Sequence, residues 1–526
     1  SSEISMRREL TKYLRLPTMS RMETGAALSR RPTVVGGLLL ILMLLTGLGW
    51  AVSSPVESSP DDNYHLGSIW CPRPAGESCQ TSVVDGDPVV RVPIAVADES
   101  MRCYVLQSNK SAGCALGYDD SHMVWSKRFD NGAYPIGYYH FHHLFVGKDV
   151  QTSVLVMRGV NVLIAVALLG TIGFCAPRQL RRPFIGAIVA SWVPMGVYFI
   201  ASNNPSSWAV SGLMAYSAAT FMAPQQKGSH RIALVICAVI GAVMCLTSRY
   251  DAAFFLLVVG LALLFAVPWK RGGWIGLTAL AGVALLGVGT FMASSQVSKV
   301  AYFLRVFEAS DPAKSADKQP FFEKLLVGLE TAPKYLGGFW GHTWTPGWHD
   351  VPLGARAPYV LTIMAAGAFV AVGLRRGGWR KWTALAIIAG SMVLLPALFY
   401  ANGAMDTIEL YQARYIFPLL APTFFLMLAV DQDEGAWFTV PQAVWVTVFI
   451  SLCQTITLHT LLLRFVQGAQ ERWELDLNKH IEWWWSAPVS PMMVWFLTTC
   501  FATAALGTAI AMLTRTAEKH EATQHS

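Results

Sequence analysis

Long apolar runs separated by polar connections dominate this chain of 526 residues. A run of about 20 apolar residues is long enough to cross the hydrocarbon layer of a bilayer as a helix. The runs lie at 33–52, 151–174, 184–202, 208–223, 232–248, 252–268, 274–293, 357–374, 383–401, 414–430, 443–463 and 491–513. Several are near the lower length limit and are compatible with half-spans. The pattern predicts an all-α polytopic membrane protein with about 12 transmembrane helices.

The basic residues predict how these helices are oriented. Arg and Lys gather in four short connections that fall on one side when the runs are threaded in order: 176–183, 227–231, 269–271 and 375–381. Positive charge marks the cytoplasmic side of a membrane protein. We therefore expect a plasma-membrane protein with both termini cytoplasmic. The predicted parts are a basic cytoplasmic segment, a transmembrane core with two extracytoplasmic loops, and a C-terminal transmembrane hairpin with a cytoplasmic tail: 1–32, 33–430 with loops 53–150 and 294–356, and 431–526.

Composition supports a membrane class and argues against a nucleic-acid binder. The chain is 53% hydrophobic and 14% charged, whereas soluble domains carry about 25% charged residues. The net charge is +7, but the basic residues flank apolar runs instead of forming a nucleic-acid surface. Membrane lipids are therefore the expected surroundings of the chain, and no nucleic-acid partner is expected.

Four cysteines cluster in the first predicted loop, at Cys71, Cys79, Cys103 and Cys114. Such clustering predicts two disulfides on an oxidising side of the membrane. Pairing Cys71 with Cys79 and Cys103 with Cys114 is the simplest of three connectivities, and free thiols or a zinc site remain alternatives. A valine-rich stretch broken at 85–88 predicts a small β-hairpin in the same loop.

The segment after the first apolar run carries the first candidate chemistry. Ser59 and Pro60 predict a helix start, which brings Asp61, Asp62 and His65 near one another. A carboxylate here can act as general base on an acceptor hydroxyl. The alternative is that both aspartates only complement the helix dipole.

Arginines at the ends of apolar runs are the second candidate group. Arg249 and Arg414 lie where a phosphate at headgroup depth could be bound by their planar guanidinium groups. The alternatives are lipid headgroup contacts for both, and a simple ion pair with Asp251 for Arg249. Arg158 lies inside the second run and is either a third candidate or a packed interhelical partner.

Two aromatic and histidine-rich stretches complete the candidates. Three histidines at 140–143 suggest either a metal site or an aromatic helix at the membrane interface. Trp340 and His342 belong to a glycine- and tryptophan-rich stretch that suits either sugar contact or membrane anchoring. The chain has no nucleotide-binding fingerprint in a credible context.

Several short motifs together resemble a large bacterial family of predicted membrane proteins that is grouped with the GT-C superfamily of membrane glycosyltransferases. The matching segments are Pro60-Asp61-Asp62 with His65, Tyr134-Pro135, Asn204-Pro205-Ser206-Ser207-Trp208, Gly337-Gly338-Phe339-Trp340-Gly341, and Gln412-Ala413-Arg414-Tyr415 with Pro418. The family more often has Asp-Glu at 61–62 and Gln-Gly-Arg-Tyr at 412–415. The first departure leaves open which carboxylate is the base.

The resemblance implies a GT-C-like bundle and an inverting transfer from a polyprenyl-phosphate-linked sugar donor. It assigns the base to Asp61 or Asp62 and a donor-phosphate contact to Arg414, to which position alone adds Arg249. Substrate contacts are expected at His65, Tyr134, Trp340, His342, Gln412 and Tyr415. The expected requirement is for no metal and no cofactor.

The function predicted from the sequence is sugar transfer to a cell-envelope glycan, glycolipid or protein acceptor on the outer face of the membrane. The sugar is a pentose or hexose, and arabinofuranose is one candidate by analogy. A transporter or flippase of a lipid-linked sugar is the first alternative; it predicts broken helices in matched halves and buried charges at mid-membrane, whereas the charges here lie at the outer ends of the runs. A non-catalytic envelope scaffold is the second.

Overall fold

A computed structural model describes residues 32–97, 103–117, 119–269, 273–293, 320–341, 344–353, 357–403, 405, 407–408, 411–431, 437–469 and 474–514. Nearly all of the predicted cytoplasmic segment 1–32, and 294–319 of the second loop, lie outside these residues. The helices are α1 Pro32–Ala51, α2 Asp62–Trp70, α3 Ala75–Ser78, α4 Ile94–Ala97, α5 Gly137–His143, α6 Val150–Cys175, α7 Arg178–Ser191, α8 Met195–Ile200, α9 Ser206–Met222, α10 Gly228–Ser248, α11 Tyr250–Ala266, α12 Trp274–Met292, α13 Phe321–Glu330, α14 Ala332–Gly337, α15 Ala357–Gly373, α16 Trp379–Ala401, α17 Leu420–Ala429, α18 Val440–Val466 and α19 Pro491–Thr514.

Within the described residues, seven helices are long and apolar enough to cross a membrane. They are Val34–Ala51, Val150–Cys175, Gly228–Ser248, Ile275–Met292, Trp379–Ala401, Val440–Val466 and Pro491–Thr514. Three apolar helices are shorter, namely Tyr250–Ala266, Pro358–Gly373 and Phe417–Ala429. The predicted run 184–202 is divided between α7 and α8 at Pro194, and the run 208–223 lies within α9. The polytopic helical prediction is therefore supported, but the expected number of 12 spans is not confirmed, since seven of the described helices have the length of a full span.

Helix α9 forms the centre of the bundle. All but one of its 17 residues are buried, as expected for a helix without a polar face. It packs closely on α10, where a Cβ at Gly212 would lie 2.8 Å from the Gly241 carbonyl oxygen. A Cβ at Gly241 would in turn lie 2.5 Å from the Gly212 carbonyl oxygen. Paired glycines of this kind let membrane helices approach backbone to backbone.

The outer helices keep large apolar faces exposed. On α10 the exposed side chains include Ile232, Val235, Ile236, Val239, Ile240 and Val243. A contiguous face of this kind would drive aggregation in water, whereas lipid tails cover it without cost. The fold is therefore that of a helical protein immersed in a bilayer.

The first loop contains the only sheet among the described residues. Strands β1 (Thr81–Val84), β2 (Asp87–Pro93) and β3 (Met123–Ser126) pair antiparallel in that order. Asp85 and Gly86 form the two-residue turn and both have positive φ, which suits the twist of a tight hairpin. The predicted hairpin is therefore confirmed, and β3 extends it.

Two disulfides stabilise this loop. Cys71 is bonded to Cys79, and Cys103 is bonded to Cys114. The simplest predicted pairing is confirmed. The first disulfide joins the end of α2 to the start of the hairpin, so it ties the sheet to the helix that begins at the candidate site.

Candidate functional site

The candidate site is built around the start of α2. The helix begins at Asp62, with Asp61 as its N-cap, so the predicted start at Ser59 and Pro60 is wrong by two residues. Asp61 has φ 64° and ψ 13°, a left-handed conformation that aspartate tolerates better than most residues. Ser59 does not cap the helix end, because its backbone N–H and hydroxyl both donate to the Asp62 carboxylate.

The carbonyl oxygen of Pro60 joins three separate segments. It accepts a hydrogen bond from Arg414 Nη1 at 3.0 Å and another from Asn204 Nδ2 at 3.0 Å. The Asn204 side-chain oxygen meanwhile accepts from the backbone of Ser206 at the start of α9. The bundle therefore fixes the backbone that carries Asp61.

Asp62 is completely buried. Its Oδ2 accepts from the Ser59 backbone at 3.1 Å and lies 3.9 Å from Arg158 Nη2. Burial raises the pKa of Asp62, and Arg158 and the two Ser59 contacts offset only part of this effect. Asp62 therefore has no exposed oxygen with which to meet a substrate.

Arg158 supports the segment between α1 and α2. Its terminal nitrogens donate to the carbonyl oxygens of Ala51, Ser54 and Pro55 at 2.6 to 3.1 Å. The first contact satisfies a carbonyl group at the end of α1 that has no helical partner, and the other two hold the turn that follows. Arg158 is thus packed against the turn after α1, in place of the interhelical partner that was the second interpretation.

Asp61, in contrast, is accessible. Its side chain is 38% exposed, and its Oδ2 accepts from Arg414 Nη2 at 2.5 Å. Its Oδ1 lies 3.7 Å from Arg128 Nη2. Burial acts to raise the pKa of Asp61, but the surrounding groups, foremost Arg414 and also Arg128, together outweigh it and hold the pKa below its ordinary value. The carboxylate is therefore ionised at neutral pH and faces the open side of the site.

Arg249 and Arg414 meet at the ring of Tyr415. Their guanidinium carbons lie 5.6 Å and 5.1 Å from its centroid, within the range of cation–π attraction. Arg249 also forms a two-point ion pair with Asp251, at 2.9 Å and 2.6 Å, so this predicted alternative is observed. Both arginines are buried, and the guanidinium carbon of Arg249 also lies 5.8 Å from the centroid of the Tyr134 ring.

An aromatic wall containing His65 borders the carboxylate. The His65 ring lies 5.1 Å from Tyr134, and its Nδ1 is hydrogen-bonded to the Tyr139 hydroxyl at 2.9 Å. Its Nε2 is buried without a hydrogen-bond partner. Burial lowers the pKa of His65 to about 3, so the imidazole is neutral. Because His65 is also completely buried, it supplies no charge at neutral pH and presents no exposed atom to a ligand, in contrast to the expected substrate contact.

Two of the predicted substrate contacts, Gln412 and Trp340, are hydrogen-bonded to other groups of the protein. Gln412 Oε1 is 3.3 Å from His349 Nε2, and burial lowers the pKa of His349 to about 4. Trp340 donates its indole N–H to the carbonyl oxygen of Ala190 in α7, which indicates a packing role. His342 lies outside the described residues.

A Cβ at Gly338 would lie 2.8 Å from Ala413, so the loop carrying Trp340 contacts the segment carrying Arg414 directly.

The histidines of α5 do not converge on one point. His140 Nε2 contacts the Arg73 carbonyl oxygen, His142 Nε2 the Asn161 side chain, and His143 Nδ1 the Ile69 carbonyl oxygen. Across the described part of the chain, no group of three or more metal-ligating side chains is arranged to hold an ion. These histidines attach α5 to α2 and α6.

Six predicted residues thus come together from four segments of the chain: Asp61, His65, Tyr134, Arg249, Arg414 and Tyr415. Sequence reasoning missed Arg128, which has no local signal because its place depends on how the loop after β3 packs against α2. The six lie at the end of the bundle that bears the disulfide loop. Together they form a polar site, with an accessible carboxylate beside buried arginines, at the rim of a polytopic helical membrane protein.

Comparison with protein families agrees with this class. The chain belongs to the family described as "Predicted membrane protein (DUF2142)", whose model matches residues 44–423. The match covers the helices from within α1 into α17 and includes all six of these residues. No curated protein is significantly similar to the chain.

Proposed function

We propose that this protein is an inverting GT-C-type glycosyltransferase that uses a polyprenyl-phosphate-linked sugar. The single observation that carries the proposal is the accessible Asp61 carboxylate, which is paired with Arg414, an arginine that shares the ring of Tyr415 with Arg249. A sugar transfer from a lipid phosphate needs a base for the acceptor and cations for the leaving phosphate, and it needs both at one place.

The chemistry is a single displacement. The acceptor hydroxyl oxygen attacks the anomeric carbon while the bond from that carbon to the phosphate oxygen breaks. The electron pair leaves with the polyprenyl phosphate, and the hydroxyl proton passes to Asp61. Because the phosphate is already a good leaving group, it needs charge stabilisation and not an acid. Arg414 and Arg249 supply that stabilisation.

The two aspartates take different roles in this proposal. Asp61 is the base, since it is ionised and partly exposed. Asp62 is a positioning residue, because its oxygens are bound by Ser59 and lie beside Arg158. The proposal therefore takes the first carboxylate as the base.

The position in the membrane suits a lipid-linked donor. A polyprenyl tail stays in the hydrocarbon layer, so its phosphate lies at headgroup depth and the sugar lies just above it. The site is at the ends of α10, α11 and α17, beneath the disulfide-bonded loop. Disulfides favour an oxidising compartment, so we assign the site to the outer face of the plasma membrane and the acceptor to the cell envelope.

The test is sugar transfer by the purified protein in liposomes, from a panel of polyprenyl-phosphate sugars to acceptors from a membrane extract. We expect transfer with inversion, read from the anomeric signals of the product by NMR, and its loss in Asp61→Asn. The matched control is Asp87→Asn, since Asp87 is an exposed carboxylate in the same loop and is paired with Lys127.

Three other outcomes would contradict the proposal. Retention of the anomeric configuration would exclude the single displacement. Transfer that persists in Asp61→Asn would remove the assigned base. Movement of an intact lipid-linked sugar across the liposome membrane, without transfer, would establish a flippase instead.

A further inference from the structure

Arg128 is a cation at the site that none of the predicted roles uses. Its side chain is 45% exposed and its Nη2 lies 3.7 Å from Asp61 Oδ1. The same nitrogen is 3.4 Å from the Asn63 side-chain oxygen. Its guanidinium carbon lies 5.5 Å from the centroid of Tyr64. These are long contacts, so the head of Arg128 is positioned without being strongly bound.

The backbone of Arg128 is, however, firmly attached to α2. A Cβ at Gly67 would lie 2.2 Å from the Arg128 carbonyl oxygen, so only glycine allows this approach. Ser126 accepts the Arg128 backbone N–H at 3.0 Å, and Ser68 accepts that of Asp130 at 2.8 Å. The fixed backbone therefore keeps the guanidinium beside Asp61, and its long side-chain contacts leave its charge available to a ligand.

The charges at the site leave room for one anion. Arg249 is matched by Asp251 and Arg414 by Asp61, which leaves Arg128 as a third cation against two carboxylates. One positive charge is therefore unbalanced among these five groups. A phosphodiester carries one negative charge, which would restore the balance.

The Asp61 carboxylate marks where such an oxyanion fits. One of its oxygens faces Arg414 from the bundle, and the other faces Arg128 from the disulfide-bonded loop. A tetrahedral phosphate that replaced the carboxylate between them could contact both guanidinium groups. The exchange would also release Asp61 from Arg414 at the moment when a base is needed.

We propose that Arg128 and Arg414 form a two-sided phosphate clamp that Asp61 occupies in the unliganded protein. The inference rests on the proposed function and specifies how the donor is recognised. The ligand is the phosphate of a polyprenyl lipid, and ordinary phospholipid headgroups and free phosphate share its chemistry.

The experiment is a titration of the full-length protein with decaprenyl phosphate, followed by native mass spectrometry. Arg128→Gln should weaken binding about tenfold, a value reduced for the solvent exposure of this arginine. Arg128→Lys should recover part of the loss, because it restores the charge but not the fork. Lys127→Gln is the matched control, since the neighbouring Lys127 pairs with Asp87; it should change binding less than twofold.

Competition identifies the source of the phosphate. If phosphatidylglycerol and inorganic phosphate fail to displace bound decaprenyl phosphate, a polyprenyl donor is supported. If phosphatidylglycerol displaces it as well as added decaprenyl phosphate does, the clamp is reassigned to bulk lipid. Unchanged binding in Arg128→Gln, with weaker binding in Arg414→Gln, would overturn the role of Arg128 and leave the proposed function standing. Absence of wild-type binding would overturn both.

Discussion

Replacing Asp61 by asparagine should have opposite effects on catalysis and on phosphate binding. The substitution keeps the shape of the side chain and removes its charge. If Asp61 is the base, transfer should fall about a thousandfold, within the roughly 10²–10⁴ range of a positioned general base. If Asp61 also competes with phosphate for Arg414, the same change should increase the affinity for decaprenyl phosphate.

The size of the second effect follows from the ion pair. A hydrogen bond between charged groups, here at 2.5 Å, contributes about 1.5–3 kcal/mol. Since the Asp61 side chain is 38% exposed, solvent screening reduces this to about 1 kcal/mol. Release of Arg414 should therefore increase the affinity about fivefold.

The two effects are measured on one preparation, transfer with a radiolabelled donor and affinity with unlabelled decaprenyl phosphate. Asp61→Asn should remain folded, because the carboxylate is at the protein surface. A parallel loss of both transfer and binding would refute the competition between Asp61 and phosphate. Unimpaired transfer would refute the assignment of the base.

Three further predictions concern the surroundings of Asp61. Asp62→Asn should lower the free energy of unfolding by about 3 kcal/mol, because it leaves Arg158 buried without its counter-charge. Thermal unfolding in detergent measures this loss, and an unchanged midpoint temperature of unfolding would contradict it. Arg414→Gln should move the acidic limb of kcat/KM, which reports the donor-free protein, to higher pH, since loss of the cation lets burial raise the pKa of Asp61. The wild type should keep its kcat/KM down to a pH below the ordinary carboxyl value, and coincident profiles would argue against Asp61 as the titrating group. Replacement of Cys71 and Cys79 by serine should destabilise the first loop by about 2.5 kcal/mol, the chain-entropy value for a bridge with a sequence separation of 8. Limited proteolysis should then cut the loop faster. An unchanged cleavage rate would show that the sheet is stable without the disulfide.

Periodicity and composition predicted the bundle but not the lengths of its helices. The apolar runs at 33–52 and 491–513 became full spans because nothing in them interrupts the helix. The run at 184–202 looks equally apolar, yet it is divided at Pro194, which cannot continue a helical hydrogen-bond ladder. The run at 414–430 begins with 3₁₀ turns, Ala413–Tyr415 and Phe417–Leu419, and these turns direct Arg414 towards Pro60.

The sequence identified most members of the site but not their individual roles. Asp61 and Asp62 are neighbours at the same helix start, so local spacing could not tell them apart. Their difference arises from Arg158 on α6, which draws the second carboxylate inward, and from the left-handed backbone of the first. Arg128 was missed because its position depends on contact between its backbone and Gly67, a packing relation that leaves no pattern in the sequence.

The site joins two parts of the protein that are stabilised by different means. Arg249 and Arg414 belong to the bundle, which is held by apolar packing. Asp61 and Arg128 belong to a loop held by disulfides and a small sheet. The parts meet at the Pro60 carbonyl oxygen, where Arg414 and Asn204 both donate. Arg414 donates to this carbonyl through Nη1 and to the carboxylate of the next residue through Nη2. In the proposed clamp, a phosphate that takes the place of the Asp61 carboxylate would bind Arg414 and release the base through the same nitrogen, which would couple donor binding to base release.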